Sequence, residues 1–358
     1  MTAIQTKAPT AESAAIPPRD PIALVLQGGG ALGAYELGVA RRLYGRPEPF
    51  KPAIISGVSI GAITAVLLAR PKGGDPLRAL EAFWNKVTIT GSWMAPVPAQ
   101  YASVFGNPHF FMPRQDVFAM PSWTSFYDTA PLRQTLEELV DCQSLGLEKP
   151  PGLPRLIMSA TDIGSGEIAY FDSDAQGLTL DHVLASGSLP PSFPMTTIKD
   201  ATGTPHSYWD GGLFDNTPLG PVVDALKTAG AGGDEGTIIV VNLFPNAAAV
   251  PRNMTEVGTR MLNLMFANRT KQDVKQLRRF NEVAELVGRL RDEKFKGFPE
   301  IAEVIGKLDY VRIPNIIEIT RPKEATDTDG IDFSPAGIAA RADEGQADAD
   351  RALGAFGL

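Results

Sequence analysis

The segment with the clearest capacity for chemistry is a G-x-S-x-G motif, Gly57-Val58-Ser59-Ile60-Gly61. A serine nucleophile on a tight strand-to-helix turn has strained backbone angles, and flanking glycines remove the Cβ atoms that would clash there. The turn also leaves the hydroxyl at a helix N-terminus, where free amides and the helix dipole favour a developing alkoxide. Because any glycine- and serine-rich loop can match the motif, its position between an apolar strand and an uninterrupted helix is the stronger indication of a nucleophile.

A second glycine-rich segment, Gln27-Gly28-Gly29-Gly30-Ala31-Leu32-Gly33, also follows an apolar run and opens a helical pattern. Consecutive amides at a helix start form a cradle for an anion. A dinucleotide site would need an acidic residue at the end of the second strand, which here ends in serines and glycine. A phosphate loop would need Lys after the last glycine, where Ala34 stands. Two interpretations remain: an oxyanion hole with donors at Gly29 and Gly30, and a glycine turn needed only for close packing.

The third segment, Asp210-Gly211-Gly212, would by itself be an ordinary turn. It matters because a serine nucleophile needs a base, and an ordinary triad uses one of the three histidines of the chain. His109 lies in an aromatic segment and His182 in an apparent helix, where a structural role is expected. His206 lies in a polar loop four residues before Asp210. Two bases stay open: His206 paired with Asp200, and Asp210 acting directly as a poorly solvated carboxylate.

The elements that would position these motifs follow a strand–turn–helix rhythm. Continuous apolar runs at residues 22–26 and 53–57 are typical of strands buried on both faces of a parallel sheet, and each leads into one of the glycine motifs. Helical patterns separate most of the further predicted strands, which are 155–160, 168–171, 237–244 and 315–320. The pattern predicts an α/β fold built on a parallel sheet.

Two long segments break this rhythm. Residues 84–127 hold ten aromatic residues among 44, and from residue 87 onward only Arg114 and Asp116 are charged. A loop of this length and composition is typical of a lid or a binding loop, the alternative being a cap that packs on the sheet. Residues 253–291 predict a long helix with a basic middle, either packed on the core or lying at a membrane surface. Residues 330–358 predict one polar, Ala-rich helix.

Composition narrows the function classes. With 33 Lys and Arg against 41 Asp and Glu, the net charge of −8 argues against general nucleic-acid binding. The single cysteine, Cys142, excludes an intramolecular disulfide framework and a cysteine-based zinc site. No run approaches the roughly 20 apolar residues of a membrane span. Residues 1–20 carry no basic segment followed by an apolar one, so we expect a disordered leader rather than a secretory signal, and a cytoplasmic protein.

The three motifs, in this order, resemble the patatin-like phospholipases, a family of serine lipid acyl hydrolases. The resemblance implies that Ser59 is the nucleophile and Asp210 the base of a Ser–Asp dyad that needs no histidine. The implied oxyanion-hole residues are Gly28, Gly29, Gly30 and Ile60. The implied supporting glycines are Gly33, Gly57, Gly61, Gly211 and Gly212. The match covers roughly residues 22–227, and the stretch 185–191 is similar to the helix end and proline turn that precede the family's aspartate.

The resemblance also implies a fold, a three-layer α/β/α sandwich with a mostly parallel central sheet. The expected organisation is the leader 1–20, a catalytic domain 21–250 with residues 84–127 as lid or acyl-channel loop, and a mainly helical C-terminal extension 251–358 packed on it. Asp332-Phe333-Ser334, at the start of the last helix, is similar to the extension of some bacterial members. Leu32 stands where many members carry Arg or Lys, which leaves the head-group preference open.

The implied substrate is a lipid ester, met at a membrane or lipid-aggregate surface by a peripherally associated protein. No metal or organic cofactor is implied, and no nucleic-acid partner is expected. Two other functions stay open on the sequence: a His-dependent esterase or thioesterase, and a lipid-binding protein with the same architecture and little turnover.

Overall fold

The computed structural model describes residues 21–91, 101–148, 150–228, 236–244, 250–291, 313, 315–322 and 330–356. The predicted leader, residues 1–20, lies outside this set, as does part of the predicted aromatic loop, residues 92–100. Within the described residues, no helix is both long and apolar enough to cross a bilayer.

The described strands alternate with helices along the first part of the chain, as the sequence predicts. The strands are β1 (Ile22–Leu26), β2 (Ile54–Gly57), β3 (Met112–Pro113), β4 (Tyr127–Asp128), β5 (Arg155–Asp162), β6 (Ile168–Asp172), β7 (Thr196–Lys199), β8 (Pro205–Asp210), β9 (Thr237–Asn242) and β10 (Asn315–Thr320). The helices are α1 (Ala34–Tyr44), α2 (Ile60–Ala69), α3 (Pro76–Val87), α4 (Tyr101–Phe105), α5 (Ala130–Leu139), α6 (Leu180–Ser186), α7 (Leu219–Thr228), α8 (Met254–Arg291) and α9 (Pro335–Gly354).

The central sheet has eight strands, with β10, β9, β1, β2 and β5 parallel in that order. Strands β6 and β8 pair with β5 antiparallel, and β7 pairs antiparallel with β8. Alternate residues of β1 belong to two separate cores: Leu24 and Leu26 pack with α1 and α2, while Ala23 and Val25 pack with α7. Helices therefore cover both faces of the sheet, and the predicted α/β/α fold with a mostly parallel sheet is confirmed.

Some predicted segments differ in detail from the structure. Strands β7 and β8 were not expected, and His206, expected in a polar loop, lies on β8. Residues 84–127 do not form one irregular loop: Trp84 is buried in α3, residues 101–105 form α4, and β3 and β4 pair as an antiparallel hairpin. Pairing and helical hydrogen bonds thus satisfy backbone groups that a loop of that length would leave to water.

The C-terminal part of the chain joins the core of the molecule. Strand β10 pairs with β9 at the edge of the sheet, and α9 packs along α1. The buried Tyr35 hydroxyl of α1 donates a 2.8 Å hydrogen bond to Asp348 of α9. The residues that α9 buries include Ala342, Ala349 and Leu353. The loop that enters α9 is therefore held in place on the side of the sheet that carries α1 and α2.

Candidate active site

Ser59 occupies the turn between β2 and α2. Its φ of 55° and ψ of −121° make it the one non-glycine residue with a positive φ in the described part of the chain. Such a conformation costs about 1–3 kcal/mol and persists only when the surroundings enforce it. The Ser59 amide donates to both the carbonyl oxygen and the hydroxyl of Ser186, at 3.1 Å and 3.0 Å. The end of α6 therefore holds the serine in its strained turn.

The predicted supporting glycines lie where backbone segments approach closely. A Cβ on Gly57 would lie 2.2 Å from the carbonyl oxygen of Gly61, so the first glycine of the motif has no room for a side chain. A Cβ on Gly61 would in turn lie 2.5 Å from the carbonyl oxygen of Leu26 on β1. The remaining three each have a heavy atom within 3 Å of an ideal Cβ position: Gly33, Gly211 and Gly212.

Strand register brings Asp210 to the serine. On β5, Met158 pairs with Gly57 of β2, and two residues later Ala160 pairs with Asp210 of β8. Strand β6 pairs with one edge of β5 along 157–161. Strands β2 and β8 therefore pair with the opposite edge of β5, β2 first and β8 directly after it. Asp210 thus lies just beyond the end of β2, at the level of the turn that carries Ser59.

The Asp210 carboxylate is buried and accepts two hydrogen bonds. One comes from the Ser59 hydroxyl, and the other from the Gly212 amide at 2.7 Å. Burial raises the pKa of Asp210 to about 6, although both hydrogen bonds act in the opposite direction. The carboxylate is therefore more basic than an exposed one, and Ser59 is one of its hydrogen-bond partners.

The glycine loop after β1 lies against the same turn. A Cβ on Gly28 would lie 3.1 Å from the Cβ of Ser59 and 2.6 Å from the Oδ1 of Asn216, whose Nδ2 donates to the Gly28 carbonyl at 3.3 Å. Gly30 has a φ of +58°, and the next amide, that of Ala31, donates to the Gly330 carbonyl at 2.9 Å. The loop is thus fixed on one side by Asn216 and on the other by the C-terminal segment.

Two of the backbone amides near the serine belong to residues that border its cavity. Among the described residues, no acceptor is found for the amides of Gly30 or Ile60, and both residues border the cavity that contains Ser59. Gly29 packs against Leu243, and its carbonyl accepts from the Leu32 amide at 3.2 Å. Of the predicted oxyanion-hole residues, Gly30 and Ile60 border the cavity, and Gly28 and Gly29 are not among its described lining residues.

The cavity at Ser59 is a narrow apolar space of about 270 Å³. Its walls hold Phe110 and Phe111 from the predicted aromatic segment, Phe193 that follows the proline turn, and Phe333 that precedes α9. Phe111 and Phe193 have ring centroids 5.3 Å apart, and those of Phe110 and Phe333 are 5.5 Å apart. All the described residues that border the cavity are uncharged. Such a space accepts a hydrocarbon chain and excludes an ionic group.

The family model of the patatin-like phospholipases matches residues 24–223, more than half of the chain. The chain belongs to the patatin-like phospholipase family. All three motifs lie inside the match, while Gly330 and Phe333, which border the serine cavity, lie beyond it. The family supports lipid ester hydrolysis as the general activity of this patatin-like chain.

Comparison with solved structures adds a distant similarity. The chain is similar to VipD from Legionella pneumophila, with 14% sequence identity and a TM-score of 0.43, over 99% of this chain and 72% of that one. Among curated proteins, none matches the chain.

Two of the three histidines of this patatin-like chain make contacts with residues other than Ser59 and Asp210. The structure brings His206 to Asp200, as one hypothesis supposed, with 3.4 Å between Nε2 and Oδ2, and Nδ1 lies 3.0 Å from Asp162. However, His206 lies four residues before Asp210 on β8, roughly 13 Å away at the rise of a strand. His182 accepts the Thr179 amide in a capping box at the start of α6, which is the structural role expected of it.

Two residues that hold the site together were missed in the sequence. Asn216 bridges the Asp210 loop to the glycine loop, and Phe333 forms part of the cavity wall. For Asn216 the sequence shows only that it lies six residues after Asp210. Phe333 belongs to the stretch that is similar to the extension of some bacterial members, but its place in the cavity wall depends on the packing of α9 against α1.

A larger and more open groove, of about 530 Å³, lies between α7 and α8. Charged side chains from both helices border it, among them Asp224, Lys227 and Asp273. Neither Ser59 nor Asp210 borders this groove, so its size does not make it the reactive site.

Proposed function

We propose that this chain is a lipid acyl hydrolase that cleaves carboxylic esters of lipids through a dyad of Ser59 and Asp210. The observation that supports it best is the hydrogen bond between the Ser59 hydroxyl and a buried carboxylate whose pKa is raised to about 6. A general base works best when its pKa lies near the working pH, because it is then ionised and still attracts a proton.

In the first half of the reaction, the Ser59 oxygen attacks the ester carbonyl while its proton passes to Asp210. A tetrahedral intermediate forms, with the negative charge on the former carbonyl oxygen. In this proposal the amides of Gly30 and Ile60, two residues that border the cavity, donate to that oxygen. Each such donor is worth about 10²–10³ in rate. Expulsion of the alcohol, which takes the proton from Asp210, leaves the acyl group on Ser59 and the carboxylate ionised again.

In the second half, water attacks the acyl-enzyme. Asp210 accepts a proton from the water as the second tetrahedral intermediate forms, and returns it to Ser59 as the fatty acid leaves. The same carboxylate thus acts as base and then acid in both halves, and no histidine is needed.

The cavity supports a fatty acyl ester as the substrate. Its aromatic walls bury an alkyl chain at about 0.8 kcal/mol per CH₂ group, and this favourable term is absent for a short polar acid. Thr129 and Ser192, which also border the cavity, supply hydroxyl groups for the polar part of the substrate. A phospholipase A or lysophospholipase type of cleavage fits this arrangement.

Fatty-acid release from a panel of defined lipids tests the proposal. Phosphatidylcholine, lysophosphatidylcholine, a galactolipid and a triacylglycerol are each incubated with wild-type protein and with Ser59→Ala, and free fatty acid is measured by mass spectrometry. We expect release from at least one lipid by the wild type only. A fluorophosphonate should label the peptide that contains Ser59.

The competing functions give different results in the same experiment. A lipid-binding protein without turnover would bind these lipids but release no fatty acid and resist the fluorophosphonate. An esterase that depends on His206 would hydrolyse esters but lose activity in His206→Ala. Either result would overturn the proposal.

A further inference from the structure

The hairpin formed by residues 112–128 is attached to the serine cavity at its base. Its strands β3 and β4 pair antiparallel, and Phe111 and Tyr127, at the two sides of the base, both border the cavity. The amides of Phe126 and Tyr127 donate to the carbonyls of Pro191 and Ser192, at 3.0 Å and 2.9 Å. The base of the hairpin is therefore part of the cavity wall.

The tip of the hairpin, by contrast, projects apolar side chains into solvent. The tip is a 3₁₀ turn over Val117–Ser122, in which Phe118 is 101% exposed, Met120 57% and Val117 55%. Phe126, next to the base, is 58% exposed. Single exposed apolar residues are normal on protein surfaces, but four large ones within ten residues form a patch of the kind that marks an interaction site.

The tip is held away from the cavity rather than folded onto it. Arg114 pairs with Asp116 at 2.5 Å, its guanidinium lies 5.3 Å above the ring of Trp123, and its amide donates to the Phe126 carbonyl at 3.1 Å. These contacts brace the two arms of the hairpin just below the tip. Since Phe118 is fully exposed, it does not close the cavity in this conformation.

The charge of the hairpin indicates what the tip can contact. The charged residues of the hairpin are Arg114 and Asp116, which pair with each other, and Asp128 at its base, so the tip itself carries no charge. A neutral apolar tip cannot form ion pairs with an acidic or basic protein surface, whereas it can enter the acyl region of a lipid surface. Trp123, below the tip, has the amphipathic ring that favours the boundary between lipid and water.

We propose that the tip of this hairpin, residues 117–122, inserts into a lipid surface and brings the mouth of the serine cavity to the lipid. The inference rests on the proposed lipid hydrolase function, because the occupant is argued from the continuity of the hairpin with that cavity. Insertion of Phe118 and Met120 buries two large apolar side chains, and holds the base of the hairpin, with Phe111 and Tyr127, at the lipid boundary.

Binding to vesicles of phosphatidylcholine tests the proposal without turnover if the Ser59→Ala background is used. We expect the further change of Phe118→Ser with Met120→Ser to weaken co-sedimentation with vesicles at least tenfold, since each side chain loses its burial in lipid. The binding should be unchanged in 0.5 M salt, because no charge is involved. Leu147→Ser, which removes another exposed apolar side chain outside the hairpin, is the matched control and should bind as before.

Hydrolysis separates this proposal from the proposed function. With Ser59 intact, the Phe118→Ser, Met120→Ser protein should lose vesicle hydrolysis at least tenfold but hydrolyse a monomeric short-chain ester within twofold of wild type. If the wild type hydrolyses no ester, the proposed function fails, while vesicle binding still tests the hairpin. Undiminished vesicle binding by the double variant would overturn insertion. So would an equal loss in Leu147→Ser, or a dimer in sedimentation velocity that depends on the tip.

Discussion

Both ends of strand β8 carry side chains that could act as a base, but the start of the strand is partly exposed to solvent and its end is buried. At the start of the strand, His206 lies between the carboxylates of Asp162 and Asp200, and its side chain is 37% exposed. At the end, Asp210 is 3% exposed and accepts a hydrogen bond from the Ser59 hydroxyl. The start contains the acid and histidine of an ordinary triad but lies four residues from Asp210 along the strand, whereas the end has a buried carboxylate beside Ser59.

Burial explains why the second arrangement is suited to catalysis. Hydrogen bonding to Asp162 raises the pKa of His206, so water and carboxylates stabilise its cation and the ring is less available as a base near neutral pH. Asp210 has its pKa raised to about 6 by burial, so its ionised form attracts a proton more strongly than an exposed aspartate does. The residue type alone therefore does not distinguish the two candidate bases, whereas burial and the hydrogen bond with Ser59 favour Asp210.

The largest effect on activity is expected when the carboxylate charge of Asp210, at the buried end of β8, is removed. Asp210→Asn keeps the shape of the side chain but no longer accepts a proton from Ser59, so kcat should fall by about 10²–10⁴. The rate of fatty-acid release from the best lipid of the panel is the measurement, with circular dichroism to check folding. Activity within tenfold of the wild type would mean that Asp210 is not the base.

A slightly smaller effect is expected at the oxyanion loop. Gly30→Ala places a Cβ 2.6 Å from the Gly330 carbonyl at a φ of +58°, so the loop must move and its amide lose alignment. We expect a loss of about 10²-fold in kcat with little change in KM. Gly73→Ala is the matched control, since its φ is +92° with no atom within 4 Å of the new Cβ. Equal losses in both variants would indicate general strain instead.

Asp210→Asn should increase the stability of the fold at pH 8 although it lowers activity. The pKa of Asp210 is raised above its ordinary value, so the protonated form stabilises the fold below about pH 4, and this contribution is lost as the pH rises through about 6. At pH 8 the buried carboxylate is ionised, which destabilises the fold. Asp210→Asn removes this charge, so the variant should be more stable than the wild type by about 1–3 kcal/mol. Urea unfolding at pH 8 and pH 4 measures this, and a difference that does not shrink at pH 4 would contradict it.

The smallest effect is expected at the exposed end of β8. His206→Ala removes an exposed ion pair whose contribution to catalysis is nil in this account, so kcat/KM should stay within twofold of the wild type. A loss of more than tenfold in kcat/KM, in protein that is still folded, would contradict this. It would mean that the exposed end of β8 affects the buried end, or that His206 is the base.

The parts of the molecule that could be predicted from the sequence are those with local causes. Strands β1 and β2 are continuous apolar runs because both their faces are buried, and the Ser59 turn leaves a glycine pattern because its backbone has no room for Cβ atoms. Strand β8 was missed since it begins with proline, and its residues neither alternate regularly between polar and apolar nor form a continuous apolar run, so that it resembles a loop.

The rest of the site depends on contacts between distant parts of the chain. Gly330 and Phe333 reach the serine because α9 packs on α1, some 300 residues earlier in the chain, and no spacing near them indicates this. The burial of Asp210, which sets its pKa, also depends on the register of three strands. Local patterns thus indicated Ser59 and Asp210 as candidate reacting groups, whereas the cavity walls and the raised pKa of Asp210 depend on the fold.

The pH dependence of kcat/KM tests the claim that Asp210 is the base most directly. A soluble neutral ester is hydrolysed between pH 4 and pH 9 by the wild type and by His206→Ala. We predict that both proteins lose activity about tenfold per pH unit below a common midpoint near 6, the pKa of the buried carboxylate. A midpoint that shifts or disappears when His206 is removed would contradict the account.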